Sequence, residues 1–290
     1  MAIRTDLAVE SAEQSGAHLP EGVERECVKK DGVAITTVRV VSEAGAKAIG
    51  KPLGQYITIE ADNMKSPAVD YDAEIEALAA ALTELLPKEG TVLVAGLGNS
   101  DITPDALGPK TAAHTFATRH IGGQLAAEAG LSDLRPVAVL ATGVLGQTGM
   151  ESAEIIAAVC ESVKPSAVVV IDALACSGIE RLGTTVQITD TGISPGSGVQ
   201  NRRKELSQAS LGIPVIAVGV PTVVDMTTIA QDLFGAEELP AHSREQGRAM
   251  MVTPREIDVL IDRAAKLLGL GINRALQPSL SIDELAGLVS

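Results

Sequence analysis

The run Val92-Leu93-Val94-Ala95-Gly96-Leu97-Gly98-Asn99, followed by Thr103-Pro104-Asp105-Ala106-Leu107-Gly108, constrains the fold more than any other stretch of the chain. Continuous apolar sequence without alternation suits a strand buried on both faces. Glycines at positions 96 and 98 let the chain turn sharply as it leaves that strand. Thr103 followed by Pro104 is a helix start, a capping hydroxyl and then proline at the first helical position. The segment therefore predicts strand, tight turn and helix. Asp105 falls at the helix start, where the helix dipole favours negative charge.

A second carboxylate, Asp172, follows a second buried run, Ala167-Val168-Val169-Val170-Ile171. A carboxylate placed directly after such a run is costly unless it is paired or used. Other β-rich runs are Val33 to Val41, Tyr56 to Glu60, Val137 to Leu140, Thr184 to Thr189 and Pro214 to Val218. Helical patterning is expected over Ser42 to Ile49, over Ala73 to Leu86, from Pro104 onward and from near Thr148. Thr148-x-x-Glu151, Thr253-x-x-Glu256 and Ser281-x-x-Glu284 read as capping boxes.

Buried runs separated by helices predict an α/β, three-layer fold. It would be a mostly parallel twisted sheet with helices on both faces, plus a small N-terminal β/α annex. Ligand sites in such sheets lie beyond the carboxyl ends of the strands, and both acids are expected there. Residues 231–250, with scattered glycine, proline and charge, are the expected mobile excursion. The polar, acidic first 25 residues are expected to be loosely held.

Composition narrows the function classes. With no Trp, two Tyr and two Phe, the core must be aliphatic. A net charge of −14 disfavours nucleic-acid or anionic-membrane partners, because phosphate is bound by basic surfaces. The three cysteines form no CxxC pair, so no disulfide framework is expected. No signal core and no apolar run of about 18 residues is present, which reads as a cytoplasmic protein.

Two acids at strand ends suit acid–base hydrolysis without a metal. If they are close, mutual repulsion keeps one protonated as a donor while the other activates water. Competing chemistries have weaker support. Gly96-x-Gly98-Asn99 lacks the third glycine of a dinucleotide fingerprint. His18, His114, His120 and His242 are scattered with no HExxH pattern, and no GxSxG elbow exists. Cys176 has no visible partner base and is expected to be a passive thiol. The loop Gly192 to Gly198 leads into Arg202-Arg203-Lys204, a basic stretch that would suit a lip contacting acidic substrate side chains.

Taken together, these residues resemble the germination proteases of spore-forming bacteria. The resemblance rests on Arg4 to Glu10, Gly96-Leu97-Gly98-Asn99, Thr103 to Pro109, Thr118-Arg119-His120 and Ile171-Asp172-Ala173-Leu174-Ala175. It continues through Pro195-Gly196-Ser197-Gly198, Gly212 to Ala217, Pro221 to Asp225 and Met251 to Pro254. It implies an endopeptidase that degrades small acid-soluble spore proteins in the forespore or spore core. It further implies catalysis by Asp105 and Asp172 with no cofactor or metal, a fold similar to the hydrogenase maturation endopeptidases, and a homo-oligomer, a tetramer in the family.

The resemblance also implies a self-trimming zymogen. Thr5-Asp6-Leu7-Ala8-Val9-Glu10 is similar to the family's substrate motif, which places the cut at Asp6–Leu7. Residues 1–6 would then be a propeptide and 7–290 a single peptidase domain. The basic residue expected soon after Ala175 is replaced by Cys176-Ser177-Gly178. Two alternatives stand beside this reading. One is a nickel-dependent maturation peptidase, which needs His114 or His120 beside the acids. The other is a non-catalytic nucleotide-binding module built on the glycine turn.

Overall fold

The computed structural model describes residues 5–16, 18–65, 71–122, 133–194, 204–234, 242, 247 and 250–289. In chain order its elements begin with α1 (Ala8–Glu13), β1 (Val23–Lys30), β2 (Val33–Val40), α2 (Glu43–Ile49) and β3 (Gly54–Glu60). They continue with α3 (Asp72–Leu85), β4 (Val92–Gly96), a 3-10 turn (Thr103–Asp105), α4 (Leu107–Ala113) and β5 (Val137–Ala141). Next come α5 (Leu145–Thr148), α6 (Ser152–Val163), β6 (Ala167–Cys176), a second 3-10 turn (Ile179–Arg181) and β7 (Thr185–Thr189). The chain ends with α7 (Gln208–Leu211), β8 (Val215–Asp225), α8 (Met226–Phe234), β9 (Met251–Val252), α9 (Ile257–Leu276) and α10 (Ile282–Leu288).

The nine strands among the described residues join one mixed sheet in the order β1-β2-β3-β7-β8-β6-β4-β5, with β9 added alongside β8. The parallel part is β5-β4-β6-β8. Beyond it the sheet continues antiparallel through β7, β3, β2 and β1. The expected N-terminal annex is therefore an extension of the main sheet. Its edge strand β1 was not expected, because Glu24 to Lys30 is charged and exposed. The turn Asp31-Gly32, with φ of 50° and 87°, closes the β1–β2 hairpin. Asp-Gly is the residue pair that positive φ at both turn positions favours.

Side chains of the parallel strands alternate between two cores, as strand geometry requires. Val92, Val94, Val169, Ile171, Ile216 and Val218 face one cluster, shared with Leu78 and Leu82 of α3 and Ile261 and Leu268 of α9. Leu93, Ala95, Val168, Val170, Val215 and Ala217 face the other, where Ile156 of α6 packs. Helices thus cover both faces, in three layers.

Two of the three capping boxes are displaced. The turn at Thr148 belongs to the end of α5, and α6 starts after Glu151, whose carboxylate and that of Glu154 make the reciprocal caps. Thr253 instead donates its hydroxyl to the Thr222 carbonyl at 2.8 Å, and Glu256 leads into α9 with no side-chain cap bond. The Ser281–Glu284 box forms as expected. The proposed excursion at 231–250 falls largely outside the described residues.

One buried polar residue ties the layers together. Asn273 of α9 accepts from the Phe116 N–H at 2.8 Å and donates to the His114 carbonyl at 2.9 Å, fixing the end of α4. Asn273→Leu keeps the branching of the side chain but strands both backbone groups, at about 1–3 kcal/mol each. Urea unfolding should show a clearly lower midpoint, and an unchanged midpoint would show that this link does not stabilise the fold.

Candidate active site

The site is set where three central strands stop being equivalent. The β4–β6 ladder ends at Gly96 opposite Ile171, and the Leu97 N–H then donates to the Ile171 carbonyl at 2.8 Å. Strands β6 and β8 run on together, with Asp172 opposite Gly219. Asp172 therefore lies within a strand and not after its end, because pairing with β8 carries β6 through Cys176. It is one residue past the point where β4 turns away. Its side chain is almost wholly buried, and its Oδ1 accepts the Ala173 N–H at 3.0 Å.

The glycine turn delivers the second acid. Gly98 has φ of +110°, and a Cβ there would sit 2.1 Å from the Asp105 carbonyl oxygen. The turn can fold this tightly only without a side chain. The Asn99 N–H donates to Asp105 Oδ2 at 2.9 Å, which closes the loop on the 3-10 turn. A Cβ on Gly96 would meet the Gly108 carbonyl oxygen at 2.1 Å. These glycines serve close packing of the chain's own backbone, with Gly96 against Gly108 and Gly98 against Asp105, which accounts for them without a nucleotide.

Asp105 and Asp172 line one cavity of about 640 Å³, together with Asp6, Lys51, Gln187 and Thr222. Tyr56 also lines it. Burial pushes the Tyr56 phenol up to about 12, and its hydroxyl donates to the Pro52 carbonyl at 2.9 Å. The Thr222 hydroxyl is fully buried and has no hydrogen-bond partner among the described residues. A substrate polar group could satisfy it.

The N-terminal segment, expected to be loose, is docked at this cavity over residues 5–13. The Asp6 N–H donates to the Ala175 carbonyl at 2.9 Å, and the Ala175 N–H donates to Asp6 Oδ2 at 2.8 Å. Leu7 is fully buried among Val9, Leu174, Cys176, Leu182 and Val224. The Glu10 carboxylate accepts the Ser177 and Gly178 N–H groups, each at 2.8 Å, and lies 3.9 Å from the Arg181 guanidinium. The Thr5 hydroxyl donates to the same carboxylate. Burial of Leu7, Ala8, Val9 and Ala12 supplies the apolar stabilisation that this short helix lacks on its own.

The carbonyl of Asp6 has two side-chain donors. Lys51 Nζ lies 2.8 Å from it and 3.1 Å from the Thr5 carbonyl oxygen. Gln187 Nε2 donates to the Asp6 carbonyl at 3.0 Å, while its Oε1 accepts the Ala8 N–H at 2.7 Å. Burial lowers the pKa of the Lys51 ammonium, and the Asp6 and Glu10 carboxylates act in the opposite direction.

Lys51, Arg181 and Gln187 escaped the sequence reading. The basic stretch singled out there behaves differently. Lys204 is exposed and paired with Glu154 at 2.6 Å, and Arg202 and Arg203 lie outside the described residues. Past Ala175, Arg181 of the second 3-10 turn places its guanidinium 3.9 Å from the Glu10 carboxylate.

Neither His114 nor His120 lines the cavity, so the ligand set that the nickel reading requires is not assembled there. Burial and the neighbouring Lys266 lower the His114 pKa. Among the described residues no cluster of three His, Cys, Asp or Glu side chains could hold a metal ion. Cys176 is buried at the end of β6, with Cys27 on β1 and Cys160 on α6, and none of the three is in a disulfide. No helix among the described residues is long and apolar enough to cross a membrane.

A carboxylate-lined cavity lies at a parallel-sheet switch, and the N-terminal segment, extended at Leu7 and helical from Ala8, is held beside it by backbone and side-chain hydrogen bonds, an arrangement that suits a peptidase. The germination protease family model matches residues 3–235. The germination protease of Caldanaerobacter subterraneus subsp. tengcongensis is 42% identical over 100% of this chain and 98% of its own. That of Clostridium tetani is 40% identical over 98% of each. The chain belongs to the germination protease family and is an endopeptidase. Among solved structures, a NiFe hydrogenase maturation protease from Thermococcus kodakarensis KOD1 aligns over 68% of this chain and 99% of its own, at 19% identity and a TM-score of 0.39.

Proposed function

We propose that this chain is made as a zymogen, trims itself between Asp6 and Leu7, and then begins the degradation of small acid-soluble spore proteins during germination. The observation that carries this reading is the presence of Asp6 in the same cavity as Asp105 and Asp172. Lys51 and Gln187 hold the carbonyl of the bond to be cut, and the two acids line the same cavity.

In the mechanism the two aspartates share one proton. The ionised carboxylate takes a proton from water as the water oxygen attacks the Asp6 carbonyl carbon. The protonated one donates to the Leu7 nitrogen as the C–N bond breaks. The products are a C-terminal carboxylate on Asp6 and a new amino terminus on Leu7, and the pair has exchanged roles and is ready again. No step requires a metal. Residues 1–6 act as the propeptide and residues 7–290 as the peptidase.

Substrates would take the same path, an acidic residue before the cut and a large apolar residue after it. The Ala175 N–H that now holds the Asp6 carboxylate would receive the substrate acid. The apolar pocket around Leu7 explains the preference on the other side. From sequence alone, the basic stretch Arg202 to Lys204 is the candidate for contacting acidic side chains of the substrate.

Incubation of the purified full chain, followed by mass spectrometry of the intact protein, tests this. A species beginning at Leu7 should accumulate, and an added small acid-soluble spore protein should be cut after acidic residues. A full-length N-terminus and an uncut spore protein under all conditions would sink the proposal.

A further inference from the structure

We infer that Lys51 and Gln187 form the oxyanion-binding site of this peptidase, the pair of donors that stabilises negative charge on the carbonyl oxygen of the bond being cut. The inference rests on the proposed function, because it takes Asp6–Leu7 as a bond placed for cleavage.

The geometry supports it from three sides. First, both donors converge on one oxygen, with Lys51 Nζ at 2.8 Å and Gln187 Nε2 at 3.0 Å from the Asp6 carbonyl. Productive oxyanion donors lie about 2.7–3.1 Å from the position the oxyanion takes, a short displacement from this carbonyl oxygen. Second, the two side chains come from separate elements. Lys51 follows the end of α2 and Gln187 is central in β7, so no local turn forces them together. Third, Gln187 spans the expected cut. Its Nε2 binds the carbonyl on one side, and its Oε1 binds the Ala8 N–H two residues on. That spacing fixes the register of the peptide against β7.

Chemistry requires such donors. When water attacks the carbonyl carbon, the π electrons move onto the oxygen, so the negative charge that leaves the ionised aspartate appears there and must be stabilised. A lysine ammonium is the strongest compensating group on the cavity wall. Its positive charge, held in a partly enclosed site, is worth more to the developing oxyanion than to the neutral carbonyl. The amide N–H of Gln187 adds a fixed dipole. As the C–N bond breaks, the electrons return from the oxygen to re-form the carbonyl of the new acid, and the clamp is left unchanged for the next substrate.

The alternative is that the two side chains only anchor the N-terminal segment. Lys51→Met and Gln187→Met distinguish these roles when made in the full chain. Two rates are measured: self-trimming at Asp6–Leu7, and turnover of a synthetic peptide carrying residues 1–16 of this sequence. Loss of one oxyanion donor should lower both the trimming rate and kcat about 100-fold or more, with KM nearly unchanged. Circular dichroism fixes a temperature at which each variant is fully folded, and rates are compared there, so a lower melting temperature does not excuse a slow variant. Wild-type trimming and kcat in both folded variants, or a change confined to KM, would overturn the inference.

Asp105→Asn and Asp172→Asn run beside them separate the two levels. Silent aspartate variants with rapid Lys51 and Gln187 variants remove the clamp alone. A wild-type chain that neither trims nor cuts the peptide removes the proposed function on which it rests.

Discussion

Replacing either Asp105 or Asp172 by asparagine should abolish self-trimming and peptide cleavage while leaving the fold intact. Each substitution keeps the hydrogen-bond acceptor that the structure uses. In Asp105→Asn the side-chain amide oxygen can still take the Asn99 N–H, and in Asp172→Asn it can still take the Ala173 N–H. What disappears is the ability to take up or give a proton. General acid–base groups contribute about 10²–10⁴ in rate, and a pair that acts as one unit fails when either member is removed. Trimming followed by intact mass, with the melting temperature as a control, gives the answer. Near-normal turnover in a folded variant would take that residue out of catalysis.

Asp105 was legible because its position is written locally. Gly98 permits the tight turn and Thr103-Pro104 open a 3-10 turn that ends on the acid, although Thr103 makes no capping bond and the helix expected from Pro104 begins only at Leu107. Asp172 was legible as a cost, a charge directly behind a fully buried run. Its setting within β6 was not, because Ala173-Leu174-Ala175 carries no strong strand signal. Only the partner β8 prolongs the strand there, with a register shift between Leu174 and Ala175.

Lys51 and Gln187 illustrate what sequence hides. Lys51 looks like an ordinary solvated lysine after a glycine that ends a helix. Gln187 alternates with the buried Val186 and Ile188, which points it at the other face of β7. That face would have been assigned to solvent. It is closed by the N-terminal segment, whose helix α1 has no side-chain cap to announce it. The sheet's antiparallel extension was half visible for the same reason. β2 and β3 alternate, whereas β1 is a charged edge strand of the kind that resists further pairing.

The glycine turn makes the second large prediction. Gly108 opens α4 directly against the ends of β4 and β6. A Cβ there would lie 2.2 Å from the Leu97 carbonyl oxygen, 2.5 Å from the Leu97 nitrogen and 2.7 Å from the Ile171 carbonyl oxygen. All three are backbone atoms at the central strand ends, and Leu97 and Ile171 are already hydrogen-bonded to each other. No side chain can rotate aside. Gly108→Ala must therefore push the helix off the sheet, or part β4 from β6, at the place that positions both acids. Overpacking a well-filled core costs about 1–3 kcal/mol and occasionally more, and rigid backbone on every side puts this case at the upper end.

Stability from urea unfolding should fall by that amount, and cleavage should fall further, because the separation of Asp105 from Asp172 depends on the same packing. Gly146→Ala is the matched control. Its Cβ would meet nothing within 4 Å, and it lies inside α5, where alanine is favoured over glycine. It should leave stability and cleavage unchanged or slightly improved. A Gly108→Ala chain as stable and as active as the Gly146→Ala control would mean that the close approach of α4 to the strand ends does not set the site.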